Sequence, residues 1–256
     1  MLTKLYEGDT IATLTARLEA GDRWDYCLTS PPYYRQIDYE QPGQYGLEDS
    51  LEQYLQRQAQ VFALVADGLT DGGVCWIVIG DTSNNYSPIR TKAQRRTSEW
   101  TGRRSLEVGY QEKESLLMPL RLVEALRDRW MLRKMLIWDK GQSSQPCRGD
   151  APGETHEYIL MLAKRGTGRP KLTTSALPRS VLTYWPVPHL YHPCPFPELL
   201  AQELLSTCQS SSVVLDPYIG TGTTADACQR LGLTCMGIDL DISHARDTLG
   251  LFAVCA

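Results

Sequence analysis

Short apolar runs bounded by turn residues recur along this chain, at residues 25–30 (DYCLTS), 74–79 (VCWIVI), 135–138 and 158–162. Runs of that length predict buried strands. Between them, residues 50–66 and 115–129 carry apolar positions at helical spacing; in the first, Leu51, Tyr54, Leu55, Ala59, Phe62 and Val65 fall on one face. Near the C-terminus an apolar strand at 213–216 runs into a glycine-rich turn, a helix and a second short strand, TCMGID, ending at Asp239. Strand and helix in alternation predict an α/β domain, a mostly parallel sheet with helices on both faces. No internal repeat interrupts the pattern, so residues 1–256 are expected to form one domain.

Composition narrows the class. The chain has 256 residues, of which 42% are hydrophobic, enough for a sizeable core. Lys and Arg number 26 against 30 Asp and Glu, a formal charge of -4, so the average announces neither a nucleic-acid binder nor a membrane-surface protein. No apolar stretch approaches the roughly 20 residues of a membrane span, and MLTKLYEGDT lacks the apolar core of a signal peptide. A cytoplasmic protein without a membrane partner is expected. The eight cysteines contain no C-x-x-C pair and mostly sit in apolar runs, which favours reduced thiols. His189, His192 and Cys194 are the nearest thing to a zinc set. Prolines at 186, 188, 193, 195 and 197 make that stretch an extended connector, and no metal is expected there.

The average charge conceals segregation. Between Glu157 and Glu198 there is no acid, while Lys164, Arg165, Arg169, Lys171 and Arg179 fall in that interval. Residues 82–98 carry Arg90, Lys92, Arg95 and Arg96 without an acid, and Arg103 and Arg104 follow. Basic loops at about 82–112 and 141–190 suit contact with a phosphate backbone. Ordinary solvated loops would carry the same charges.

Two motifs carry chemistry. Residues 213–225 read VVLDPYIGTGTTA, with Gly220 and Gly222 placed so that backbone approaches a nucleotide-like ligand. Asp239 follows 19 residues after Gly220, where a carboxylate accepts hydrogen bonds from ribose hydroxyls. A nicotinamide dehydrogenase has the same signature. However, the 36 residues after Gly220 are too few to finish a dinucleotide-binding sheet going forward, so N-terminal strands are expected to complete it. The second motif, Thr29-Ser30-Pro31-Pro32-Tyr33-Tyr34, follows the 25–30 strand. Its prolines stop ladder formation and hold Ser30 and the Pro31 carbonyl at the end of the sheet, where ligands bind in such folds. Rigid acceptors beside a tyrosine ring suit a flat base bearing an exocyclic amino group.

TSPPYY followed downstream by VVLDPYIGTGTT resembles the S-adenosylmethionine-dependent DNA amino-methyltransferases of the permuted class, in which the catalytic motif precedes the cofactor motif. LYEGDT, the 116–140 helix and strand, THEYILMLAK and HPCPFPELLAQELL resemble further family segments, so the likeness covers nearly the whole chain. It implies a Rossmann-like, class I methyltransferase fold with a seven-stranded, mostly parallel sheet in circularly permuted motif order. It further implies that Asp216, Gly220 and Gly222 hold the methionine end of S-adenosylmethionine, with Pro217, Thr221 and Thr223 in the same turn. By the same resemblance Asp239 holds the ribose, Asp9 the adenine amino group, and Phe196 and Pro197 pack beside the cofactor. Ser30, Pro31, Pro32 and Tyr33 would form the target-base pocket.

The implied reaction is in-line methyl transfer to an exocyclic nitrogen of a base flipped out of double-stranded DNA, with positioning as the protein's main contribution. Ser-Pro-Pro-Tyr is similar to the family's cytosine-N4 pattern, whereas adenine-N6 enzymes more often carry Asp or Asn at the first position. Cytosine N4 is therefore expected ahead of adenine N6. Pro146-Cys147 superficially offers the nucleophile of a cytosine-C5 enzyme, yet such an enzyme has no use for an amino clamp. A catalytically silent DNA-binding domain and an RNA methyltransferase also stay open here, as do a homodimer and a cognate restriction endonuclease as partners.

Overall fold

The structure is a computed structural model describing residues 2–85, 90–91, 106–141, 151–173, 177, 179–186 and 195–250. Its N-terminal part runs β1 (Thr3–Glu7), α1 (Thr10–Glu19), β2 (Trp24–Thr29), β3 (Ile37–Asp38), α2 (Leu51–Gly68), β4 (Leu69–Ile79) and β5 (Arg90–Thr91). There follow α3 (Met118–Leu126), β6 (Trp130–Asp139), β7 (His156–Lys164) and β8 (Val181–Thr183), then α4 (Glu198–Leu205), β9 (Val213–Asp216), α5 (Thr223–Leu231), β10 (Thr234–Asp239) and α6 (Ser243–Thr248).

One eight-stranded sheet has the order β1-β10-β9-β2-β4-β7-β6-β8, and β3 pairs with β5 in a separate ribbon. Every neighbour pair is parallel except those made by β7, which runs antiparallel to both β4 and β6. The eighth strand, beyond the seven expected, is β8, a three-residue edge whose one buried side chain, Leu182, leaves no periodic signal. The last strands of the chain lie between its first two, with Thr3 of β1 beside Cys235 of β10. This is the permuted order.

Alternate strand residues feed two cores, as a pleat requires. Tyr26, Leu28, Val74, Trp76 and Val78 pack beneath α4, α5 and α6, against Leu200, Leu204, Ala225 and Ala245. Cys27, Cys75, Ile77, Leu215 and Ile238 face α1, α2 and α3, against Leu14, Val61, Phe62, Val65 and Leu122. Each fully buried Val, Leu or Phe contributes roughly 1.5–3 kcal/mol relative to exposure. In α2 the expected face holds, with Leu51, Tyr54, Phe62 and Val65 buried, and Ser50 caps it by accepting from the Gln53 N–H at 3.2 Å. The second expected helix is shorter than residues 115–129. Ser115 bridges to Ser83, Leu117 turns left-handed at φ 52°, and Trp130 already begins β6.

The antiparallel course of β7 corrects the expectation of one DNA-contacting loop at 141–190. Its residues 156–164 form a central strand, and its end emerges at the edge where the parallel strands begin. There Arg165 donates to the Arg127 carbonyl, and the Lys171 N–H donates to Gly72 O at 2.8 Å. An added Cβ on Gly72 would meet the Lys171 side chain and the Arg169 carbonyl. Lys164, Arg165, Arg169 and Lys171 are therefore on the far side of the sheet from Ser30.

Candidate active site

At the edge where the parallel strands end, β2 and β9 are neighbours whose chains depart in opposite directions, β2 through α2 to β4 and β9 through α5 to β10. Such a divergence opens a crevice at the strand ends. The last residues of the two strands meet there: Thr29 Oγ1 donates to Asp216 Oδ1 at 2.6 Å. Thr224 Oγ1 donates to Asp216 Oδ2 at 2.6 Å, and the Tyr218 N–H to Oδ1 at 3.0 Å. Burial pushes the Asp216 carboxyl up to about 6, an effect its donors oppose and nearby Asp239 reinforces.

The turn after β9 has two left-handed glycines, Gly220 at φ 50° and Gly222 at φ 88°. The Gly220 N–H donates to Asp239 Oδ2 at 2.9 Å, so the turn and the end of β10 hold each other. The Asp241 N–H reaches Asp239 Oδ1 at 3.3 Å. Asp239 too is raised from its ordinary value by burial, against these backbone donors. Gly222 serves packing: a Cβ there would lie 3.1 Å from Ala245 Cα of α6.

The Ser-Pro-Pro-Tyr segment leaves β2 directly into the same crevice and is held from behind. Tyr54 of α2 donates its hydroxyl to the Pro32 carbonyl at 2.9 Å. Tyr34, 1% exposed, turns inward and donates to Glu107 Oε2 at 2.7 Å. Glu107 in turn accepts from the Leu51 N–H at 3.0 Å and donates its own N–H to Asn84 Oδ1 at 2.7 Å. Residues 82–85 and 106–112, at the ends of the expected basic loop, thus anchor the motif.

One cavity brings together Ser30, Pro31, Pro32, Tyr33, Phe196, Asp216, Gly220, Thr221, Thr223 and Asp239. Four other expected residues stand behind its wall. Asp9 caps α1, accepting from the Ala12 N–H at 2.9 Å, and takes the Tyr45 hydroxyl at 2.7 Å on its other oxygen. Tyr45, not Asp9, lines the cavity. Pro217 offers its carbonyl to Thr10 Oγ1 at 3.1 Å, Pro197 caps α4, and Gly222 packs on α6. Sequence reasoning missed the wall supplied by Gln36, Ile37, Tyr39, Gln41, Gln44 and Tyr45, and the contributions of Tyr218, Asp241 and His244. One signal was available, since a loop joining a parallel strand to its following helix must run over this edge.

Five described cysteines, 27, 75, 208, 228 and 235, are buried free thiols. Cys147, His189, His192 and Cys194 lie outside the described residues, as do Lys92, Arg95, Arg96, Arg103 and Arg104. Among the described residues there is no metal-ligand cluster, and no helix is long and apolar enough to cross a membrane.

The sequence matches the DNA methylase family (N6_N4_Mtase) over residues 24–249. It is 32% identical over 253 residues to Type II methyltransferase M.Cfr9I of Citrobacter freundii, covering 93% of this chain and 83% of that one. To Type II methyltransferase M.SmaI of Serratia marcescens it is 30% identical over 238 residues, covering 87% and 82%. Among solved structures it superposes on the PvuII DNA methyltransferase (cytosine-N4-specific) with a TM-score of 0.71 at 14% identity, covering 99% and 87%. The M1.HpyAVI–SAM complex matches at a TM-score of 0.66 and 16% identity, covering 98% and 100%. At such identities these two likenesses concern the fold.

Proposed function

The chain belongs to the DNA methylase family of N6/N4 amino-methyltransferases, and on that premise we propose that it methylates the exocyclic N4 of a cytosine flipped out of double-stranded DNA. The observation that carries the reading is the single cavity shared by Ser30-Pro31-Pro32-Tyr33 and the Asp216–Asp239 turn. Family membership removes the nicotinamide dehydrogenase alternative.

S-adenosylmethionine is the cofactor, and the donor set fits it. Half-buried Asp239 at the end of β10 suits ribose hydroxyls, while buried Asp216 suits the cationic methionine end. Phe196, Ile219 and Leu240 give the same cavity apolar wall. Bound there, the cofactor supplies a methyl group on a positively charged sulfur.

The chain's own residues orient the acceptor. The Ser30 hydroxyl and the Pro31 carbonyl accept the amino protons of the base and so direct the nitrogen lone pair across the cavity. Tyr33 stacks on the ring, replacing part of the stacking lost on flipping. The prolines and the Tyr54 hydrogen bond keep this clamp rigid, so little reorganisation is needed during transfer. Contact with phosphates is assigned to the cationic residues that follow β5 in the sequence, Lys92, Arg95, Arg96, Arg103 and Arg104; β5 itself pairs with β3, whose Ile37 lines the cavity. A cognate restriction endonuclease as companion fits relatives that carry the Type II name.

Mass spectrometry of nucleosides from DNA treated with the wild-type protein and with Ser30→Ala tests the reading. The expected product is N4-methylcytosine, reduced on substitution. N6-methyladenine would move the assignment to the other amino group, and no methylated nucleoside would leave a silent DNA-binding domain.

A further inference from the structure

Tyr33 needs only a ring to stack on a base, yet its hydroxyl is tightly engaged. It donates to Glu157 Oε2 at 2.5 Å, and Lys140 Nζ holds the other carboxylate oxygen at 2.9 Å. The ion pair is largely out of solvent, the two side chains being 13% and 10% exposed. A buried pair of this kind seldom adds net stability over apolar packing. Beneath the ring is Gly80, where an added Cβ would stand 3.2 Å from Tyr33 Cε2 and 3.4 Å from Glu157 Cγ. The ring is thus confined by Gly80 on one side and fixed at its tip by a charge-assisted hydrogen bond.

Topology explains how Glu157 arrives there. In an all-parallel sheet the first residues of a strand lie at the edge away from the ligand. Because β7 runs antiparallel, its second residue stands at the cavity edge, and Lys140 immediately follows the end of β6 alongside, its N–H donating to Thr155 O at 2.8 Å.

We propose that Glu157, clamped by Lys140, is a positioning residue that fixes the Tyr33 ring at the angle where it stacks on the flipped base. The inference rests on the reading of Ser-Pro-Pro-Tyr as the base clamp. It assigns the Tyr33 hydroxyl to aiming the ring, with no part in proton transfer.

A double-mutant cycle tests it, using Tyr33→Phe, Glu157→Gln and the pair together, with single-turnover methyl transfer measured at saturating DNA. Each single variant is expected to lose about tenfold in rate, and the double variant no more than the worse single one, because each abolishes the same charge-assisted hydrogen bond. Affinity for S-adenosylmethionine should stay within about twofold, and Lys140→Met should lose less than Glu157→Gln. Multiplicative losses, a Tyr33→Phe enzyme at the wild-type rate, or an equal fall in cofactor affinity would overturn the assignment. The clamp can also be read without DNA. In protein carrying 13C-labelled tyrosine, slow Tyr33 ring flipping should become fast in Glu157→Gln, and an unchanged signal would refute the clamp. A wild-type protein that makes no methylated nucleoside defeats the functional reading, while the ring-flip measurement still decides the positioning role.

Discussion

The two walls of the cavity are built in different ways. The cofactor wall is local, because Asp216, Gly220 and Asp239 lie within one strand-turn-helix-strand unit and mostly hold one another through backbone N–H groups. The base wall is assembled from distant chain. Ser30 to Tyr34 are held by Tyr54 of α2, by Glu107 from the segment before α3, and by Glu157 of β7. The Thr29 to Asp216 hydrogen bond joins the two walls. A local wall carries its specification in a short motif. A wall made of remote side chains can be tuned at many positions without altering the motif itself.

That contrast is broken most severely at the joint. Asp216→Ala leaves two hydroxyls and an N–H facing a buried void, so it should cost about 2–4 kcal/mol of stability and reduce cofactor affinity at least about 100-fold, by thermal melting and calorimetry. Gly222→Ala comes next, because it forces a side chain into a left-handed position against Ala245; a loss of about 1–3 kcal/mol should appear in urea melts, with cofactor binding weakened through the turn.

A smaller effect comes from pH. The folded carboxyl of Asp216 is raised from 3.8 to about 6, so the ligand-free fold binds a proton more tightly than the unfolded chain. That contribution to stability is present below about 4 and is lost as pH rises through about 6, roughly 3 kcal/mol in all. A cationic ligand reverses the preference and expels the proton. Affinity for S-adenosylmethionine should therefore rise as much as about tenfold between pH 5 and 7, and less for S-adenosylhomocysteine, which lacks the sulfonium charge. A flat profile for both would separate Asp216 from the sulfonium. The smallest effect is expected from one remote support of the base wall. Tyr54→Phe removes one hydrogen bond to Pro32, costing about 1 kcal/mol and a few-fold in transfer rate, with cofactor affinity unchanged.

The same contrast governs what could be read from the sequence. The strand before Gly220, the turn and Asp239 were legible because their spacing is their geometry. The Ser-Pro-Pro-Tyr segment was legible as a rigid strand exit, but nothing near it in sequence points to Glu107 or Glu157. What Asp9 contacts was hidden for a related reason: a Gly-Asp turn looks the same in sequence whatever its carboxylate meets, and here it caps α1 and receives the Tyr45 hydroxyl. Cationic residues after β7 were assigned to the active edge because an apolar run does not reveal its direction. The antiparallel course that sends Lys164 away is the one that brings Glu157 in.

The interleaving of first and last strands has a consequence for how the chain folds as it is made. The hairpin-like β6 and β7 pair can form as soon as both are synthesised. β1 finds no partner until β10 appears, and β2 lacks one neighbour until β9 does. Pairings of such long sequence separation form late and slowly. During synthesis the Ser-Pro-Pro-Tyr segment would therefore wait beside an open strand edge, and a growing chain would complete the cavity only once β9 and β10 had been made.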